Sequence, residues 1–344
     1  MADATKPPPD IQKGITLETF VLEGMRSETA ATGAFTSLLN QLGTAVKIIS
    51  ARVRNAGLAD AIGYTGETNV QGERVQKLDQ YANDVLVNVL ERRGHCRAVA
   101  SEEMAEPLLT SRAAGARYVV LFDPIDGSSN IDVGVSIGTI FGILRLDHER
   151  GQTTAEQLLR PGRELVGAGY AVYGSSTMLV LSTGLDEGVH GFTFDPSVGE
   201  FFLSHENLRC PEQGTTYSIN EGNHAYWPEP VRRWNTWMKQ PGGAAARPYG
   251  QRYVGSAVAD AHRTLLKGGI FVYPTDDQNP NGKLRLLYEA NPLAFLFEAA
   301  GGTGTDGTRR ILDIVPSSVH ERTPIAVGSN RDVEAYCEFM QGKR

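Results

Sequence analysis

Cysteine is almost missing from this chain: Cys96, Cys210 and Cys337 are the three in 344 residues, far apart and without a CxxC pair. That excludes a disulfide framework and reads as reduced thiols in a reducing compartment. An excess of positive charge is missing too. The formal net charge of -7 argues against nonspecific nucleic-acid binding, which needs a basic face. No apolar run approaches the length of a membrane span. Residues 1–10 lack the apolar core of a signal peptide and contain Pro7-Pro8-Pro9, so 1–15 is expected to be a disordered tail. Beyond that tail there is no low-complexity tract, and no internal repeat. These absences predict a cytoplasmic protein with neither membrane nor nucleic-acid partners.

What remains is the composition of an ordinary globular protein, 41% hydrophobic and 21% charged. The length calls for two lobes, and a charged stretch with Pro211 and Gly214 places the boundary between 16–208 and 209–344. Residues Leu38, Leu39, Leu42, Val46 and Ile49 recur at steps of three and four, a long amphipathic helix. A shorter one opens at Thr16, and Leu78, Ala82, Leu86 and Val89 mark a third. Residues 62–72, rich in glycine and without periodicity, read as a loop. Apolar β-rich runs at 136–146, 166–172 and 175–181 continue into a meander that reaches 194. In the second half, 217–219 and 269–273 read as strands, and 230–239, 255–267 and 292–300 as helices. Strands are expected near 311–315 and 325–327. The pattern is α/β, with an α+β first lobe on a mixed sheet and an α/β second lobe.

The chain is organised around Asp123-Pro124-Ile125-Asp126-Gly127-Ser128-Ser129-Asn130, which follows the buried-strand run Tyr118-Val119-Val120-Leu121-Phe122. Two carboxylates three residues apart at a strand end, followed by a Gly-Ser-Ser turn that can cradle phosphate, suit a hard cation between protein and phosphate. A second strand end, 97–100, delivers Glu102-Glu103. If the two strands are neighbours, their carboxylates repel and take up protons unless a divalent cation joins them. On spacing alone Glu102-Glu103 reads equally as a solvated loop, Lys283 and Arg285 as two surface charges, and Thr32 as a plain helix cap.

The octet resembles the metal motif of the Mg²⁺-dependent, lithium-sensitive sugar and inositol phosphatases. A second stretch, Pro280-Asn281-Gly282-Lys283-Leu284-Arg285-Leu286-Leu287-Tyr288-Glu289-Ala290-Asn291-Pro292, resembles the signature of class I fructose-1,6-bisphosphatase, and the similarity runs over about 16–332. The resemblance implies a layered sugar-phosphatase fold and Mg²⁺ (or Mn²⁺) held by Glu102, Glu103, Asp123, the Ile125 carbonyl, Asp126 and Glu289. It implies Asp79 and Glu103 as the pair that takes the proton of the attacking water. Asp126, Gly127, Ser128, Ser129 and Arg285 would lie near the transferred phosphate. Asn220, Arg252, Tyr253, Tyr273 and Lys283 would hold the sugar and its distal phosphate, with Arg252 reaching a neighbouring subunit's site in a homotetramer.

It further implies an inhibitory AMP site at Thr32, Gly33, Ala34, Thr36, Arg117, Tyr118 and Arg145. Four positions depart from the family pattern: Glu73 for aspartate, Asn223 for tyrosine, Ala34 for glutamate and Arg117 for lysine. The cysteine-bearing insertion of chloroplast isoforms is absent. The implied activity is hydrolysis of the 1-phosphate of fructose 1,6-bisphosphate, in gluconeogenesis or the Calvin cycle. Sedoheptulose-1,7-bisphosphatase activity and a catalytically silent AMP- or sugar-phosphate-sensing role are the alternatives.

Overall fold

The structure, a computed structural model, describes residues 14–25, 33–56, 63–68, 74–92, 94–110, 115–146, 154–242 and 248–344. Thr32, Glu73 and residues 1–13 of the tail expected over 1–15 lie outside them. In chain order, helices α1 (Leu17–Met25) and α2 (Gly33–Arg54) precede a hairpin of β1 (Tyr64–Thr68) and β2 (Arg74–Gln76). Helix α3 (Lys77–Arg92) leads into β3 (Cys96–Ser101), β4 (Leu108–Leu109), β5 (Tyr118–Asp126), β6 (Ile137–Arg145), β7 (Leu165–Tyr173), β8 (Thr177–Ser182), β9 (Val189–Asp195) and β10 (Glu200–Leu208). These last eight strands form one sheet in the order β10-β9-β8-β7-β6-β5-β3-β4.

The second half contributes β11 (Thr216–Ser218), α4 (Glu229–Lys239), β12 (Gly250–Gln251), α5 (Ala257–Lys267), β13 (Ile270–Tyr273), β14 (Leu284–Arg285), α6 (Asn291–Ala299), β15 (Thr303–Thr305), β16 (Arg322–Thr323), β17 (Ile325–Gly328) and α7 (Asn330–Met340). Five of its strands make a mixed sheet ordered β12-β11-β13-β17-β15, and β14 pairs with β16.

Alternation along the strands builds the layers. On β5, Tyr118, Val120 and Phe122 join α2 and α3 in one core, while Val119 and Leu121 point to the other face and meet α5 and α6. On β13, Phe271 faces α6, while Ile270 and Val272 pack with Trp234 of α4 and Tyr336 of α7. The result is helix, sheet, helix, sheet, helix. This explains why β5 reads as an unbroken apolar run and why α6 (Asn-Pro-Leu-Ala-Phe-Leu-Phe-Glu-Ala) is apolar nearly all round: both lie between layers. Trp234 is fully buried against Tyr217 and Tyr336, and Trp237 lies on Phe339, a packing face. Among the described residues no helix is long and apolar enough to cross a membrane.

Two expectations need correction. Part of the 62–72 loop is strand β1, whose sequence Tyr-Thr-Gly-Glu-Thr lacks the apolar alternation that marks strands in sequence. The strand expected at 311–315 is instead a 3-10 turn at Ile311–Asp313. Ile311 and Leu312 are consecutive and both fully buried, which a two-residue alternation would not allow on one face.

Candidate active site

One pairing decides where the acidic residues meet. Strands β3 and β5 are adjacent and parallel, with Ser101 opposite Phe122, in a sheet otherwise antiparallel. Both chains therefore leave the sheet at the same edge, and the Glu102 N–H donates to the Phe122 carbonyl. From the second lobe, a one-turn π-helix at Leu286–Ala290 runs directly into α6 and projects Glu289 into the same place. Such turns recur at functional sites. Carboxylate oxygens of Glu102, Asp123 and Glu289, all buried, lie within 4.8 Å of one another.

Three buried acids this close cannot all ionise freely. Burial, then the charges of Glu102, Glu289 and Asp126, hold the Asp123 carboxyl well above the usual range, and Arg285 partly offsets them. Burial pushes Glu289 up to about 7, against the lowering influence of Arg285. The Arg285 guanidinium bridges the cluster, with Nη1 2.8 Å from Glu102 Oε1 and 3.9 Å from Glu289 Oε2. Its backbone N–H donates to Glu289 Oε2 at 2.6 Å. An oxygen-only, desolvated donor set of this kind fits a hard divalent cation.

Asp126 is placed differently from its partner in the motif. Its carboxylate accepts from Ser256 Oγ at 2.5 Å, Ala257 N–H at 3.0 Å and Val258 N–H at 2.8 Å, the opening of α5. The same Ser256 hydroxyl accepts from Ala259 N–H as the helix N-cap. This contact ties the lobes together, and it leaves no room at Gly127: a Cβ there would meet Ser256 Cβ at 2.7 Å, and φ is +80°. Burial still raises the Asp126 carboxyl above its ordinary value, with the three donors opposing it. Ser256 carried a visible signal, a serine opening a helix, but nothing in its spacing linked it to Asp126.

The remaining residues fall around this centre. Ile125 is buried between the two aspartates, and its N–H donates to Asp123 Oδ1 at 3.0 Å. Glu103 lies half-buried in the turn after Glu102, outside the trio, its N–H donating to Ser101 Oγ. Asp79 is buried in the first turn of α3, where its Oδ2 accepts from Gln76 N–H at 3.1 Å. Ser128 and Ser129 begin a 3-10 turn after Gly127, with Ser129 exposed. Sequence reasoning missed the brace under the Glu102 turn: His320 lies between Tyr288 Oη (3.3 Å) and the Ala105 carbonyl (3.2 Å).

In the second lobe, Lys283 Nζ is 5.5 Å from the centre of the Tyr273 ring, and burial and Tyr273 raise the Tyr253 phenol above its usual range. Asn220 caps a 3-10 turn through Gly222 N–H, and Arg252 is exposed. At the far end of the first lobe, Gly33 and Thr36 line a cavity of about 400 Å³ between α1 and α2. Ala34 packs at the edge of the core, and Phe35 contacts the ring of Tyr118 at 5.3 Å. Tyr118 pairs across the sheet with Arg145, and Arg117 precedes it.

Comparison with known proteins agrees with this architecture. The family models for fructose-1-6-bisphosphatase match over residues 15–206 (N-terminal domain) and 210–341 (C-terminal domain). A class 1 fructose-1,6-bisphosphatase of Sorangium cellulosum is 62% identical over 99% of each chain. One of Chlorobium luteolum is 50% identical over 96% of this chain and 99% of its own. The crystal structure of Leishmania major fructose-1,6-bisphosphatase in holo form matches with a TM-score of 0.89 at 37% identity, over 98% of this chain and 100% of that one. With both family models spanning nearly its full length, the chain belongs to the class 1 fructose-1,6-bisphosphatase family.

Proposed function

We propose that this chain hydrolyses the 1-phosphate of fructose 1,6-bisphosphate with Mg²⁺. The observation that carries the reading is the buried trio Glu102, Asp123 and Glu289, in a chain of this family. Glu102, Glu103, Asp123, the Ile125 carbonyl, Asp126 and Glu289 would hold the metal. When bound, a divalent cation polarises phosphoryl oxygens and lowers the pKa of water. The chain's own work is to place the groups around it. Ser128, Ser129 and the backbone after Gly127 offer donors to the transferred phosphate, and Arg285 adds a cation beside it. Asp79 and Glu103 take the proton of the attacking water.

Asn220, Arg252, Tyr253, Tyr273 and Lys283 recognise the sugar and the distal phosphate, with Arg252 directed to a neighbour in a homotetramer. In this reading residues 16–208 carry the metal centre and an AMP site at Thr32, Gly33, Ala34, Thr36, Arg117, Tyr118 and Arg145, and 209–344 the sugar pocket. The protein acts in the cytoplasm.

The test is phosphate release measured side by side on fructose 1,6-bisphosphate, sedoheptulose 1,7-bisphosphate and an inositol monophosphate, each with Mg²⁺. Preference for the fructose ester by kcat/KM supports the assignment. Preference for either of the others, or release from none, overturns it.

A further inference from the structure

Gln76, to which the metal motif and the sugar pocket assign nothing, joins two of their parts. It ends β2 and immediately precedes α3. Its backbone N–H donates to Asp79 Oδ2 at 3.1 Å, closing the first turn of the helix that carries the proposed base. Its side-chain Nε2 donates to the Ser128 carbonyl at 2.7 Å, in the turn proposed to cradle the phosphate. The residue is 2% exposed. Its Oε1 is buried with no protein donor among the described residues. The same 3-10 turn is also held from the start of the neighbouring strand β1, beside Gln76, where Gly63 N–H donates to Asp132 Oδ1 at 3.2 Å and Gly63 O accepts from Lys77 N–H.

A buried glutamine that spends its amide on a main-chain carbonyl 52 residues away is a costly choice for plain packing, since an apolar side chain would leave no orphan oxygen. Its geometry makes sense as a spacer. One end fixes Asp79, the other fixes Ser128, and a single residue sets the distance between base and phosphate turn.

We propose that Gln76 is a positioning residue for phosphate transfer: it holds the Ser128–Ser129 turn in register with Asp79. The proposal rests on the phosphatase reading above. Because the bond to Asp79 comes from the main chain, side-chain variants keep the α3 cap. Gln76→Met retains length and burial but loses the amide. Gln76→Glu retains the acceptor oxygen but turns an acceptor toward the Ser128 carbonyl.

The experiment measures kcat and KM for fructose 1,6-bisphosphate at saturating Mg²⁺, with the melting temperature of the metal-free protein alongside. Loosening the register by a fraction of an ångström predicts that kcat falls by about ten- to a hundredfold in both variants, with KM nearly constant. The melting temperature of Gln76→Met should stay near that of wild type, and its hydrogen-exchange protection at Ser129 and Asn130 should fall. Wild-type kcat in either variant overturns the proposal. So does a loss of kcat that follows a matching fall in melting temperature, which would make Gln76 merely structural. An inactive wild type would instead refute the phosphatase reading, and the exchange measurement would still decide whether Gln76 orders the turn.

Discussion

Glu289→Gln should stabilise the metal-free protein at neutral pH, although it damages the site. Burial raises the Glu289 carboxyl from 4.5 to about 7. The folded state therefore keeps a proton that the unfolded chain releases, so this group's contribution to stability is full below 4.5. It falls as pH rises through the interval and is lost above about 7. Over that gap the loss amounts to about 3 kcal/mol. For a chain of this length that corresponds to about 4 °C in melting temperature. Glutamine cannot ionise, and its amide oxygen still accepts from the Arg285 N–H that now bonds Glu289 Oε2.

Melting curves in EDTA at intervals from pH 4.5 to 8 should therefore show the variant gaining on wild type as pH rises. The two should lie closest at the acid end. Added Mg²⁺ should close or reverse the gap above pH 7, because the cation replaces the missing protons of the wild-type cluster. A constant difference across the range, or wild type gaining on the variant in EDTA, would refute the burial argument.

Three further outcomes follow from the same contacts. Arg285→Met strips the cation from Glu102 and Glu289, so the metal-free fold should lose about 3–5 kcal/mol in denaturant unfolding, with much of it regained in Mg²⁺. Ser256→Ala removes a charge-assisted bond to Asp126 and the α5 cap, and should cost about 1–3 kcal/mol in the same assay, whereas Ser256→Thr should recover most of it. Ala34→Glu restores a side-chain acceptor at the proposed AMP site and should tighten AMP inhibition about two- to tenfold. An unchanged or weaker inhibition curve would remove position 34 from that site.

The parts of the fold that were legible in sequence are those whose burial repeats along the chain. Helix α2 shows its stripe because one face meets the sheet, and β5 and α6 read as continuous apolar runs because each lies between two layers. Strand β1 stayed hidden because backbone pairing holds it without an apolar face. The motif showed that Asp123 and Asp126 belong together, but not that they face different ways. Asp123 turns to Glu102 and Glu289, while Asp126 turns to the start of α5, 130 residues further on. That division depends on how the lobes dock, and local pattern carries no trace of it. The same holds for Gln76: nothing in the sequence around it points to Ser128, 52 residues further on.

Mg²⁺ titration of phosphate release from fructose 1,6-bisphosphate, using chelator-stripped protein, tests the central claim most directly. The carboxylate trio predicts no release in EDTA, saturable recovery with Mg²⁺ in wild type, and a loss of orders of magnitude in Asp123→Asn at the same concentrations. Full release in EDTA, or a wild-type titration curve from Asp123→Asn, would contradict it.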